Sequence, residues 1–334
     1  MSNNRINKVA IVGATGHVAS HVVKHLLATG KHSITALTRQ ESTATFPPGV
    51  NVARVDYTSN ESLITALKGH DFLMITLPGS HKDASLHTKI VQAASIAGVP
   101  WIMPNIYACD PFNNTLNDTW VFGNHVKTSL ADVQAAHKET GTNHVILACG
   151  FWYEWSLSHG ENSYGFDVAN KKAVICDEGA ARANTSTFAL CGKAVAALLS
   201  LPVKREGGIT GPVIEDWKNN AVFVASYRVS QRDMLESLHR VLGTTDAEWS
   251  IEYQSSEERV RSGYERLAKG DFVGFMMALY SRIWYPTEDG DYETSKGLDN
   301  GKLGLDKEDI DVSTKWVVEQ LASVGDSRKI TFSA

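Results

Sequence analysis

The chain has 334 residues, 43% hydrophobic and 21% charged, a balance typical of folded globular domains and not of a disordered chain. Its net charge of −5 and pI near 6.2 give no electrostatic support for nucleic-acid binding. No apolar run approaches the ~20 residues that span a bilayer, and the first residues lack the apolar core of a signal peptide. The four cysteines have no metal-binding spacing. We therefore expect a cytoplasmic protein with buried thiols, no metal, and neither a nucleic-acid nor a membrane partner.

Strand and helix patterns alternate through the first half of the chain. The strand segments are continuous apolar runs, typical of parallel strands that are covered on both faces. Capping residues and glycines mark the ends of the helices between them. The alternation predicts a doubly wound parallel sheet of the Rossmann type. The predicted strands are Lys8–Val12, Ser33–Thr38, Asn51–Asp56, Asp71–Leu77, Pro100–Met103 and Asn143–Cys149; the helices run from Gly16 to Gly30, from a capping box at Thr58–Glu61 to Gly69, and over His81–Ala97 and Asn124–Thr140.

The pattern loosens in the second half, where short strands and helices mix with aromatic clusters. We interpret this half as a smaller α+β lobe packed over one edge of the sheet. The predicted division is a cofactor domain at residues 1–155 and a substrate lobe at 156–334. The boundary is soft, since the lobe can lend elements back to the first domain.

A glycine turn follows the first strand, with the spacing Gly13-x-x-Gly16-x-x-Ala19. A glycine at the strand end permits a tight turn and the close approach of a pyrophosphate. The following helix presents unpaired N–H groups and the positive end of its dipole. The third position needs only a small residue, which alanine satisfies. This context favours a dinucleotide cradle over a plain βα turn without a ligand.

The end of the second strand indicates which dinucleotide the cradle holds. An NAD site has an acidic residue there, about 20 residues after the turn, to accept hydrogen bonds from the ribose. Here Thr38 and Arg39 end the strand, and the first acid is Glu41. A guanidinium binds a 2′-phosphate through paired hydrogen bonds, whereas a carboxylate repels it. Arg39 therefore predicts NADPH, unless it is only a solvated surface arginine.

Several segments in order resemble the NmrA-like and isoflavone-reductase-like branch of the atypical short-chain dehydrogenases. They are "VAIVGATGHVA", "LTR" at Leu37–Arg39, "VDYTSNESLITALKG", "FGNHVKTSLADVQAAHKETG" and "NAVFVASYRVSQRDML". The resemblance implies NADPH, with Lys127 at the position of the catalytic lysine of the family's reductases. The cofactor contacts that it implies are Gly13, Thr15, Gly16, His17, Val18, Arg39, Asp56, Tyr57, Leu77, Pro78, Lys127, Gly150 and Phe151.

Two segments supply the predicted substrate contacts. The loop "PNIYACDPFNN" departs from the family pattern and carries Asn105 and Tyr107. The stretch "FWYEW" lies where ligands of doubly wound folds bind, so Trp152 and Tyr153, with Tyr164 nearby, are candidates for an aromatic pocket. Packing between the two domains explains the same aromatic residues equally well.

Other chemistry finds less support in the sequence. The Tyr-x-x-x-Lys pair of standard short-chain dehydrogenases is missing, and the helical histidines His17, His21 and His25 lack a carboxylate to complete a metal site. The leading hypothesis is an NADPH-dependent reductase of an aromatic or polyketide-like small molecule. The alternatives are a non-catalytic dinucleotide sensor and a non-redox isomerase or cyclase. The sequence leaves the substrate and the oligomeric state open.

Overall fold

The computed structural model describes residues 4–78, 83 and 85–334. Its strands are β1 (Lys8–Val12), β2 (Ser33–Arg39), β3 (Val50–Val55), β4 (Phe72–Ile75), β5 (Trp101–Met103), β6 (Tyr107–Ala108), β7 (Asn143–Ala148), β8 (Phe151–Trp152), β9 (Phe166–Asp167), β10 (Lys172–Cys176), β11 (Arg182–Ser186), β12 (Asn220–Phe223), β13 (Tyr227–Ser230) and β14 (Ser250–Gln254). Its α-helices are α1 (His17–Thr29), α2 (Asn60–Leu67), α3 (Leu86–Ile96), α4 (Asn114–Thr119), α5 (Gly123–Thr140), α6 (Tyr153–Ser158), α7 (Phe188–Leu199), α8 (Gln231–Leu242), α9 (Ser256–Ala268), α10 (Val273–Ser281), α11 (Tyr292–Lys296) and α12 (Ile310–Val324).

The large sheet has the strand order β12-β7-β5-β4-β1-β2-β3, with β6 paired to β7 beyond the end of β5. Every pair in it is parallel. Apolar side chains fill both faces of the central strands, as expected when helices cover a parallel sheet on both sides. The doubly wound Rossmann sheet predicted from the sequence is confirmed.

The helices divide between the two faces of this sheet. Helices α1 and α7 pack against each other, while α2, α3 and α5 form the other layer. In α1 the buried stripe consists of Val18, Val22, Val23 and Leu26, and Gly30 ends the helix in the left-handed region with φ of 64°. No helix of the described residues is both long and apolar enough to cross a membrane.

Several helix and strand boundaries differ from the sequence-based prediction, most by one residue. The N-cap of α2 is Ser59, whose hydroxyl accepts from the Ser62 amide, and not Thr58. The predicted start of the third helix at His81 lies outside the described residues, and α3 itself begins at Leu86. The fourth strand is shorter than predicted because β4 ends at Ile75, where its ladder with β1 stops.

The second half forms a lobe with two small sheets, ordered β14-β10-β9 and β13-β11-β8. Their apolar residues and those of α10 and α12 share one buried cluster with β6 and part of β7. Strand β12 leaves the lobe and pairs with β7 in the large sheet. The division at residue 155 stays a prediction.

All four cysteines are buried thiols.

Candidate cofactor and substrate site

The glycine turn is built by two glycines with different tasks. Gly13 has φ of +76°, and a Cβ there would lie 2.0 Å from the Thr76 carbonyl oxygen, so only glycine fits against the end of β4. Gly16 is the N-cap of α1, and its amide donates to the Gly13 carbonyl at 2.9 Å. Among the described residues no side chain caps α1, and its first turn holds no acid. The N–H groups of that turn therefore suit an anion.

The residues predicted to contact the adenosine lie at the ends of β2 and β3. The Arg39 side chain is 73% exposed at the end of β2, with Nε 3.6 Å from the Glu41 carboxylate. A hydrogen bond from the Thr58 hydroxyl lowers the pKa of Asp56. The Tyr57 hydroxyl donates to the Leu37 carbonyl at 3.0 Å, and burial raises the pKa of Tyr57 to about 12. Tyr57 can therefore offer its ring to a ligand, while Arg39 keeps its guanidinium accessible.

Lys127 lies in the second turn of α5, at the carboxyl edge of the sheet. Its ammonium forms an ion pair with Asp118 of α4, and both side chains are largely exposed. The ring of His125, two residues earlier, contacts the backbone oxygen of Asn105 at 2.7 Å. This contact fixes the start of α5 beside the loop that follows β5.

The segment predicted to lie along the nicotinamide follows β7. Gly150 has φ of +64°, and a Cβ there would lie 2.0 Å from the Asn184 carbonyl oxygen. The ring of Phe151 packs 4.5 Å from that of Tyr280 and 6.0 Å from that of Trp120. Trp120 and Tyr280 were not found by the sequence analysis, although the aromatic pair "TWVF" directly before α5 was a usable signal.

Two of the predicted substrate contacts in the loop after β5 are corrected. The Asn105 side chain is buried, and its amide bonds both the N–H and the carbonyl of Leu77. The Tyr107 hydroxyl donates to the Ile75 carbonyl at 2.9 Å, and burial raises the pKa of Tyr107. The polar atoms of both side chains are thus hydrogen-bonded to backbone groups and hold the neighbouring loops together.

The predicted contacts Tyr153 and Tyr164 are also corrected. Both are fully buried in the lobe. The Tyr153 hydroxyl is bonded to Thr314 at 2.7 Å, and that of Tyr164 to Thr185 at 2.6 Å. They follow the packing interpretation that the sequence left open. Trp152 is half-buried against Phe188, and its indole nitrogen has no acceptor within the described part of the chain.

A separate groove of about 550 Å³ opens between α1, α7 and α12. Its described lining contains none of the predicted site residues. Burial raises the pKa of its Glu154 to about 7. Glu154 accepts from the Phe188 N–H at the start of α7, and Glu308 accepts from the hydroxyl of Thr187, the N-cap residue of that helix. Both carboxylates therefore lie at the positive end of the helix dipole. Among the described residues no His, Cys, Asp or Glu group is arranged to hold a metal ion.

Comparisons with known proteins agree with the geometry of the turn. Residues 13–155 match the NAD(P)H-binding family. The oxidoreductase aprR of Aspergillus flavus is 27% identical over 305 residues, which cover 91% of this chain and 96% of that protein. Residues 13–155, which begin at the glycine turn, are thus similar to NAD(P)H-binding domains.

Two solved structures share the whole architecture. One, described as AtPrR2 with NADP+ and (+)pinoresinol, superimposes with a TM-score of 0.73 at 18% identity and covers 94% of this chain and 99% of its own. An isoflavone reductase gives a TM-score of 0.70 at 19% identity, covering 93% and 98%. These structures show that the fold is shared over nearly the whole chain, in agreement with the resemblance seen in the sequence.

Proposed function

We propose that this protein is an NADPH-dependent reductase of an aromatic small molecule. The observation that supports the proposal is the start of α1, which no side chain of the described residues caps, at the carboxyl edge of the parallel sheet. The exposed Arg39 ends β2 at this edge, and Lys127 lies near the start of α5, the helix that leads from this edge into β7. The aprR relative is named an oxidoreductase, and a structural neighbour is described with NADP+. The half-buried rings of Phe122, directly before Lys127's helix, and of Phe151 both pack on the buried Trp120, and these two rings favour an aromatic ligand.

Each part of the site has its own task in this proposal. The N–H groups at the start of α1 hold the pyrophosphate, and Arg39 pairs with the 2′-phosphate. NADPH, when bound, supplies the hydride. The Lys127 ammonium donates a proton to the oxygen that gains negative charge on the substrate. Asp118 keeps that ammonium at the mouth of the site through their ion pair.

The proposal is tested by incubating the protein with NADPH and a panel of aromatic ketones, enones and quinones, and following the loss of reduced cofactor. With an accepted substrate, Lys127→Met should lower kcat by about 10²–10⁴-fold, the contribution of one general acid, with little change in NADPH affinity. Lys138→Met is the matched control, because Lys138 is an exposed lysine in the last turn of the same helix.

Three results would contradict the proposal in different ways. Near wild-type turnover by Lys127→Met would show that this lysine is not the acid. NADPH binding without oxidation by any substrate of the panel would favour the sensor. Conversion of a substrate without loss of NADPH would favour the isomerase or cyclase.

A further inference from the structure

The segments that follow β4 and β5 are joined by one side chain. The Asn105 amide oxygen accepts from the Leu77 N–H at 3.0 Å, and its amide nitrogen donates to the Leu77 carbonyl at 3.2 Å. Asn105 is only 8% exposed. A side-chain amide that bonds both backbone groups of one residue replaces a rung of the β ladder at the point where β4 and β5 have already separated.

Asn105 is itself held by two histidines. Its N–H donates to Nε2 of His87 at 3.3 Å, and its carbonyl oxygen lies 2.7 Å from Nε2 of His125. Because Nε2 of His87 accepts, its Nδ1 carries the hydrogen and donates to Asp132 at 2.6 Å. His125 and Asp132 both belong to α5, the helix that carries Lys127. The position of Asn105 is therefore fixed from the helix of the proposed acid.

The same segment is also tied to the glycine turn. The Thr76 hydroxyl donates to the Val12 carbonyl at 2.7 Å and lies 3.1 Å from that of Gly13. The Thr76 N–H adds a further bond to Val12 at 3.0 Å. Thr76 is thus hydrogen-bonded to the turn, and its chain neighbour Leu77 is hydrogen-bonded to Asn105, which in turn contacts His125 of α5.

We propose that Asn105 is a positioning residue that aligns the nicotinamide end of the bound cofactor with Lys127. Asn105 holds the backbone at Leu77, which is predicted to contact the cofactor, in a fixed place relative to α5. The predicted adenine and 2′-phosphate contacts lie at the ends of β2 and β3, and the Asn105 side chain makes no hydrogen bond to either strand. The inference rests on the proposed function, because it presumes that NADPH binds along this edge.

The chemistry of the amide explains why asparagine stands at this position. An aspartate in its place would lose the donor to the Leu77 carbonyl and would set a negative charge against that oxygen. A buried backbone group left without its partner costs about 5- to 140-fold in an equilibrium, since the loss of ~1–3 kcal/mol converts at 1.4 kcal/mol per decade. Serine is smaller and uncharged but too short to bond both groups.

The experiment compares two ligands on four proteins by titration calorimetry. The ligands are NADPH and 2′,5′-ADP, which keeps the phosphorylated adenosine but lacks the nicotinamide. The proteins are the wild type, Asn105→Asp, Asn105→Ser and the control Asn300→Asp. Asn300 clamps both backbone groups of Ala225 in the same way, at 2.8 and 3.2 Å, beyond the end of β12, which β7 and β5 separate from β4 and the segment at Leu77.

Both Asn105 variants should bind NADPH about ten-fold more weakly, with 2′,5′-ADP affinity unchanged. Relative to the wild type, the fold-decrease in their kcat should exceed the fold-change in their KM for the hydride acceptor. Asn300→Asp should lose thermal stability but keep both affinities. If a variant bound both ligands equally more weakly, or bound both as tightly as the wild type, the positioning role would be overturned. Should Asn105→Asp fail to fold, the result for Asn105→Ser alone decides the test. A wild type that binds neither ligand would contradict the proposed function, and the positioning role with it.

Discussion

The two glycines of the turn look equivalent in the sequence but differ in the structure. Gly13 is required by the fold itself, since a side chain there would overlap the Thr76 carbonyl. At Gly16 an added Cβ would approach only the Gly13 carbonyl, at 3.2 Å, which a small shift relieves. A substitution at Gly16 therefore tests the ligand, whereas one at Gly13 tests the fold.

Arg39 provides the test of cofactor choice. Arg39→Ala should weaken NADPH binding by about 1.5–3 kcal/mol, the scale of charge-assisted hydrogen bonds to a phosphate, and leave NADH binding nearly unchanged. Its exposure means that its loss should not disturb the fold. Titration with both cofactors measures the difference.

Gly16→Val provides the comparison for Arg39→Ala. A branched side chain at the pyrophosphate position should weaken NADPH and NADH alike. Equal losses of both cofactors in Arg39→Ala would instead show that Arg39 does not recognise the 2′-phosphate.

What the sequence could predict at this scale depends on where a residue's partners lie. The turn was readable because strand, glycines and helix are contiguous. Asn105 was misjudged because its partners, Leu77 and His87, are 28 and 18 residues away and nothing near it in the sequence announces them. Tyr153 and Tyr164 were misjudged because an aromatic residue at a domain boundary packs or binds according to neighbours that only the fold supplies.

At the scale of elements, prediction succeeded where periodicity is long. Helix α5 was predicted to within one residue at its start, because its apolar stripe runs over 18 residues to Gly141. The two-residue strands β6, β8 and β9 were missed, since so short a segment carries no period of its own. Strand β10 pairs in parallel with β14, and the first pair of this ladder is Lys172 with Ser250. Tertiary contacts alone set this register, because the two strands are far apart in the sequence.

The contact between α1 and α7 depends on Gly192. A Cβ there would lie 2.7 Å from the backbone of His21 and 2.8 Å from the ring of His25. Helix propensity alone favours alanine over glycine by about 1 kcal/mol. The overlap should outweigh this gain, because separating two packed helices costs about 1–3 kcal/mol or more. We expect Gly192→Ala to lower the free energy of unfolding.

Denaturant titration measures this effect, with Gly301→Ala as the control. An added Cβ at Gly301 meets no described atom within 4 Å, so that variant should stay close to wild type. If Gly192→Ala proved as stable as the control, the two helices would not be in the close contact described here.

At the scale of the whole molecule, the two halves are interlocked. Strand β12 comes from the second half but lies in the first sheet. The segment around residue 299 packs against the end of β12. The Asp299 carboxylate accepts from the Phe223 N–H and from the Trp217 indole, both at 3.0 Å. The Tyr292 hydroxyl donates to the Val224 carbonyl at 2.7 Å. The division expected near residue 155 therefore does not separate two self-contained sets of contacts.

This interlocking predicts that the sheet and the lobe unfold in one transition, although chains of this length often unfold in steps. Hydrogen exchange read by mass spectrometry in increasing denaturant should show one midpoint for peptides from β4 and from β10. Asp299→Ala removes the acceptor of two buried hydrogen bonds and should destabilise the protein by about 2–4 kcal/mol, lowering both midpoints together. Lys302→Ala, which removes only the exposed partner of Asp299, should cost under ~1 kcal/mol. Separate midpoints for the two peptides, or a shift confined to the β10 peptide in Asp299→Ala, would show that the halves fold as independent domains.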